Sequence, residues 1–197
     1  MTLLGIDTES GGISSEYSLL TLSMSLIVNY EIVDTLSLKV KPIAEGNRSS
    51  YFVQGEAMRV NGIDLGKHDL EAMNYKQASK ELLQWIKTRS SDYGKLLPFG
   101  NGVSRDIELI TKYILPSKVW EIYIRRNVID LLSVGSALKN LELIPENQSL
   151  SLSGMAEFFG VKIDHDKIHT DEYDVWLGLQ VLKGYNSCIL GSHLPHE

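Results

Sequence analysis

Asp7 and Glu9, in "GIDTES", stand two residues apart just beyond the apolar stretch Leu3–Ile6. On an extended chain such a pair points to one face, so at the end of a buried strand both carboxylates could offer oxygens to the same cations. The plain alternative is a polar turn closing a strand. Spacing alone does not choose, because Asp-x-Glu occurs three times, at Asp7/Glu9, Asp69/Glu71 and Asp106/Glu108. Asp69/Glu71, in "GKHDLEAMNY", lies in a polar stretch before a helix and reads as solvated surface. Asp106 follows "PFGNGVSR" and opens a helix, which places its carboxylate near a strand end. Asp174 lies in the first turns of the last predicted helix, on the face of Leu177 and Val181. A carboxylate on a core-facing stripe needs a partner, because an unpaired buried charge is costly. A metal ion is one such partner. His169 falls just before that helix, in the spacing His-x4-Asp with Asp174, where a loop can aim its imidazole into a cleft. His165 has Thr170 at the same offset and serves as a control.

The elements that would carry these groups follow from the apolar pattern. Leu3–Ile6 reads as a short strand. In "YSLLTLSMSLIV", Leu20, Leu22, Met24 and Leu26 alternate with Thr and Ser, the period of a half-buried strand. "EIVDTLSLKVKP" repeats the pattern and ends at Pro42, and Asn29-Tyr30 between the runs suits a hairpin. Helices are expected in "YKQASKELLQWIKTR", with Ala78, Leu82 and Ile86 on one side, and in "RDIELITKYIL". Two more are expected in "SLSGMAEFFG", stopped by Gly160, and in "DEYDVWLGLQVLKGY". "KLLPFGN" reads as a further strand. Three antiparallel strands followed by interleaved helices and strands imply an α/β or α+β domain with a mixed sheet. One domain is expected over residues 1–185, with 186–197 as a frayed tail.

The bulk numbers bound the partners. With 197 residues, 43% hydrophobic, the chain is long enough for one core without disulfides. Its single cysteine, Cys188, fits a reducing compartment, and no apolar run reaches the roughly 18–20 residues of a membrane span. The first residues carry Asp7, Glu9 and Glu16 and no basic group, unlike a secretory leader. A cytoplasmic location is therefore expected. A net charge of −6 argues against coating nucleic acid by bulk electrostatics, but not against gripping a strand end. Two divalent cations would bring it to about −2.

The order of these motifs resembles the DEDDh, or DnaQ-like, 3′-to-5′ exonucleases. "GIDTES", "GNGVSRD" and "HTDEYD" match that family's three motifs in order, and "AMRVNGIDL" at 57–65 resembles the segment these enzymes place over the terminal nucleotide. The resemblance implies an RNase H-like fold and two Mg²⁺ or Mn²⁺ ions held by Asp7, Glu9, Asp106 and Asp174, with His169 as general base. It also implies that Ser10 contacts the 3′-terminal nucleotide, that Ile63 packs against its base, and that Asn101 holds the scissile region. The substrate implied is a single-stranded or overhanging 3′ end, DNA or RNA, and homodimers occur among relatives with short substrates. Arg105 stands where the family usually has an aromatic residue, and reads as a phosphate contact or a partner of Asp106. Other readings are an oligoribonuclease-like enzyme, an inactive end-binding subunit, and an unrelated α/β protein with coincidental acids. Asp130 reads as a cap, and Trp85, Trp120 and Trp176 as core rather than base platforms.

Overall fold

A computed structural model describes residues 2–42, 50–164 and 171–191, with the side chains of Asp171 and Glu172 excepted. His169 and His165 lie outside the described residues. The three expected N-terminal strands are β1 (Thr2–Ser10), β2 (Leu19–Val28) and β3 (Glu31–Lys41), each antiparallel to the next. Asn29 and Tyr30 join β2 to β3 with φ of 52° and 65°. Two successive positive φ values are the signature of a type I′ turn, whose twist matches that of the strands it joins. After α1 (Gly55–Asn61) and α2 (Leu65–Glu71) comes the two-residue strand β4 (Met73–Asn74), parallel to β3. Helix α3 (Tyr75–Tyr93) follows, then β5 (Leu97–Gly100), parallel to β1. Next come α4 (Val103–Tyr113), α5 (Ser117–Tyr123) and β6 (Ile129–Asp130), parallel to β5. The chain continues through α6 (Leu131–Asn140) and α7 (Leu152–Phe158) to α8 (Asp171–Ile189), which extends into the stretch expected to be tail. The sheet order is β4-β3-β2-β1-β5-β6, which puts the acid-bearing β1 near its centre.

Alternation along β1 assigns each residue to a layer. Leu4 and Ile6 join the core under α3, α4 and α5, with Leu82, Ile86, Leu109 and Ile110. Leu3 faces the other way, into the core beneath α6, α7 and α8, with Phe99, Leu177 and Val181. Asp7 and Glu9 share the phase of Leu3, so they emerge on the α8 side, while Thr8 points to the α4 side.

The half-buried reading of β2 needs correction, since the strand is buried on both faces. Ser23 and Ser25 are 0% exposed because α8 packs across their face. Their hydroxyls are satisfied across the sheet: Ser25 Oγ lies 3.0 Å from Thr35 Oγ1, and Ser23 Oγ 3.4 Å from Ser37 Oγ. The expected roles of the tryptophans hold for Trp120, at 5% exposed. Trp85 is half-buried with its indole N–H donating to Asp34 Oδ2 at 2.8 Å, whereas Trp176 is 36% exposed and stacks on Tyr173. No helix among the described residues is long and apolar enough to cross a membrane.

Gly5 sets how closely α8 approaches β1. A Cβ there would lie 2.4 Å from Val175 Cγ1 and 3.3 Å from Ile27 Cδ1. Val175 follows Asp174 directly, so anything that lifts α8 also lifts that carboxylate. Gly5→Ala is expected to destabilise the fold by about 1–3 kcal/mol through overpacking. For a chain of this size that lowers Tm by roughly 2–4 °C per kcal/mol, read by calorimetry.

Candidate functional site

Asp7 and Glu9 end β1 opposite Ser23 and Thr21 of β2, and the register shifts immediately after, between Glu9 and Ser10. A shift there lets the chain leave the sheet directly beyond the second acid. Helix α8 brings Asp174 over the same face. One oxygen each of Asp7, Glu9 and Asp174 lie within 4.8 Å of one another. All three residues are half-buried. Three carboxylates this close repel one another unless protons or cations intervene. Asp7 Oδ2 and Asp174 Oδ1 are buried with no hydrogen-bond donor among the described residues, and both residues make other contacts. Asn101, at the end of β5, lines a small cavity of ≈ 20 Å³ together with Asp7 and Asp174. That is room for about one water molecule.

Asp106 stands apart from this group. It lies on α4, on the Thr8 side of the strand, where Thr8 Oγ1 donates to its Oδ1 at 2.6 Å. Burial raises its carboxyl above the usual range, to about 7, while the Thr8 hydroxyl and the Arg105 charge pull it partly back. Asp130 caps α6, as expected, accepting from the amides of Leu132 and Gly102. Asp69 and Glu71 pair with Lys41 and Lys39 on the surface.

Ser10 is 8% exposed and its hydroxyl is engaged inside its own loop. It donates to Gly12 O at 2.8 Å and accepts from Arg105 Nη2 at 2.9 Å. Arg105 Nη2 also donates to Gly12 O. The departure from the expected aromatic thus has a structural use: a guanidinium pins the loop that follows the acidic strand, and its charge acts on Asp106 through space. Hydrogen bonds to a charged group contribute about 1.5–3 kcal/mol. Arg105→Ala is therefore expected to speed hydrogen exchange at Gly11, whose amide bonds Ser18 O at 2.8 Å, by roughly tenfold or more. Unchanged exchange at Gly11 would contradict that role.

Ile63 is half-buried and lines a separate cleft of ≈ 330 Å³ with Thr21, Lys39 and Lys67. That cleft adjoins the acids through Thr21, whose Oγ1 accepts from the Glu9 amide at 3.3 Å. Asn61 ties Ile63 to the loop, accepting from the Ile63 amide at 3.1 Å and donating to Ser10 O at 3.4 Å. Thr8, Asn61 and the anchoring role of Arg105 were missed by sequence reasoning. Thr8 was findable, since the residue between two acids on a strand must face the opposite layer.

No protein-family model matches the chain, and no curated protein matches it in sequence. Solved structures do match in fold. An Escherichia coli exonuclease I complex with a dT13 oligonucleotide superposes with a TM-score of 0.71 at 17% identity, over 96% of this chain and 42% of that one. The zinc-bound form of an E. coli exonuclease I–single-stranded DNA complex gives 0.66 at 18%, over 96% and 40%. A product-bound exonuclease I gives 0.69 at 17%, over 92% and 42%. The chain thus spans about two fifths of the length of these proteins. Its mixed six-stranded sheet flanked by helices shares the fold of the part of exonuclease I that it matches, the RNase H-like arrangement that the order of its motifs implied.

Proposed function

We propose that the chain is a metal-dependent 3′-to-5′ exonuclease of the DEDDh type, releasing nucleoside 5′-monophosphates from a single-stranded end. The observation that carries this reading is the meeting of Asp7, Glu9 and Asp174 within 4.8 Å, on two rigid elements of an exonuclease I fold. The donor set fits the group: three hard carboxylate oxygens suit Mg²⁺ or Mn²⁺, which favour oxygen ligands and substrate phosphate. In this reading Asp7, Glu9, Asp174 and Asp106 hold two such ions. When bound, the ions supply the positive charge that activates water and stabilises the leaving 3′ oxygen.

The chain's own residues position and move protons. Thr8 orients Asp106 from the far side of the strand. His169 takes the proton of the attacking water, a role worth roughly 10²–10⁴ in rate. Asn101, beside Asp7 and Asp174, holds the scissile region. Ser10 contacts the terminal nucleotide through its backbone, since its hydroxyl is already engaged with Gly12 and Arg105. Ile63 packs against the terminal base.

The test uses matched 5′-labelled single-stranded DNA and RNA with Mg²⁺, Mn²⁺ or EDTA. A ladder shortening by one nucleotide, present with metal and absent with EDTA, is the expected result. The faster substrate fixes the sugar preference, which rests on contacts to the 2′-OH. Binding without any shortening would move the reading to an end-binding protein.

A further inference from the structure

The loop leaving β1 and the segment before α1 together carry an aromatic pair that the chemistry above does not use. Tyr17 and Phe52 stack with ring centroids 4.7 Å apart and planes 9° from parallel. Phe52 is nonetheless 56% exposed. What sets Phe52 apart from the chain's other exposed apolar side chains is that its ring is held parallel to a second aromatic ring.

The pair is built firmly into the end of the acidic strand. The Phe52 amide donates to Ser18 Oγ at 2.8 Å, and the Ser18 amide to Phe52 O at 2.9 Å. The Gln54 amide donates to Gly11 O at 2.6 Å, and Gln54 Nε2 to the Tyr17 hydroxyl at 2.5 Å. Two glycines make room: a Cβ at Gly11 would lie 2.5 Å from Phe52 O, and one at Gly12 would lie 2.4 Å from the Tyr17 ring. The same loop is edged by cations from α4. Arg105 holds Gly12 O, and Lys112 Nζ donates to Ser15 O at 2.6 Å. The loop directly after Glu9 thus sets an exposed aromatic ring beside two cations, with the exposed Glu16 next to Tyr17.

We propose that the Tyr17–Phe52 stack is a nucleobase platform, on which the single strand 5′ of the scissile bond rests while Arg105 and Lys112 face its phosphates. Stacking is tolerant of sequence because every base offers a π-face, and flanking cations track the backbone. The platform is preorganised by its backbone bonds, so little order is lost on binding. This inference rests on the exonuclease reading but has its own readout.

The experiment compares Phe52→Ala, Phe52→Leu and Phe52→Trp with the wild type. It measures Kd for a 5′-fluorescein-labelled dT8 by anisotropy, and hydrolysis of thymidine 5′-(p-nitrophenyl phosphate), which has no nucleotide to reach the platform. Phe52→Ala and Phe52→Leu are expected to weaken dT8 binding by about 5- to 150-fold, the range set by one lost stacked base. Hydrolysis of the small ester should stay within about twofold. Phe52→Trp should keep tight binding and show indole fluorescence quenched by dT8, over the background of the three native tryptophans. Leu binding as tightly as Phe, or Ala lowering ester hydrolysis as much as dT8 binding, would overturn the platform. A wild type that neither hydrolyses the ester nor shortens dT8 with Mn²⁺ would overturn the exonuclease reading, and dT8 anisotropy would still judge the stack.

Discussion

Asp7→Asn is expected to reduce metal-dependent shortening of a single-stranded oligonucleotide by about 10³-fold or more, with little loss of folded protein. Asp7 is the acid on which the account converges. It shares the α8 face with Glu9, has an oxygen within 4.8 Å of one on Asp174, and lines one cavity with Asp174 and Asn101. An amide of the same shape keeps the packing but offers one neutral oxygen where a charged pair was available. Its effect on stability should be small or favourable, because it removes one of three crowded negative charges. Rates are read from single-turnover ladders at saturating Mn²⁺, with folding checked by circular dichroism. Retention of more than about a tenth of the wild-type rate would remove Asp7 from the centre.

Asp174→Asn is expected to separate stability from metal response. In EDTA the wild type carries three carboxylates within 4.8 Å, and repulsion among them opposes the docking of α8 on the sheet. The variant should therefore melt at or above the wild-type temperature without metal. With Mn²⁺ at about a hundred times its Kd, binding stabilises the wild type by about 2.7 kcal/mol. In a chain of this size that corresponds to a rise of roughly 5–10 °C. The variant should show a much smaller rise. A variant that melts lower in EDTA and still gains the full Mn²⁺ increment would mean that Asp174 serves packing instead of the ion.

These effects show which links sequence patterning reaches. Period-two alternation and Asn29-Tyr30 were enough for β1–β3 and their hairpin, because one buried face fixes register. Long amphipathic stripes were enough for α3, α4 and α8. The seven-residue helices α1, α2 and α5 went unread, since two turns leave too few apolar positions for a 3.6-residue period to stand out; α7, equally short, was marked by its Gly160 stop, and the ten-residue α6 was missed because Asp130 was read only as a cap. The two-residue strand β6 carries no period at all. Burial of Ser23 and Ser25 was invisible because it depends on α8, which arrives from the far end of the chain.

The candidate site divides the same way. Residue type and motif order pointed to Asp7, Glu9 and Asp174, and the fold brings these three together. What spacing could not say is that the Asp106 carboxylate is engaged by Thr8, the β1 residue that points away from Asp7 and Glu9. That depends on how far α4 is displaced from α8 across the sheet, a tertiary quantity. The engagement of the Ser10 hydroxyl was likewise hidden, because its partner Arg105 is ninety-five positions away. His169 falls outside the described residues, and its role stands on motif order alone. His169→Asn is expected to lower kcat by roughly 10²–10⁴ with metal binding retained, measured by the ladder beside the Mn²⁺ thermal shift.

The central claim is that the end of β1 and the start of α8 form a divalent-metal centre. Anomalous diffraction from a crystal soaked in Mn²⁺ tests it most directly. Anomalous density bounded by the carboxylates of Asp7, Glu9 and Asp174 is expected, and its loss in Asp7→Asn. Mn²⁺ bound elsewhere with that cluster empty, in a protein that still degrades the oligonucleotide, would contradict it.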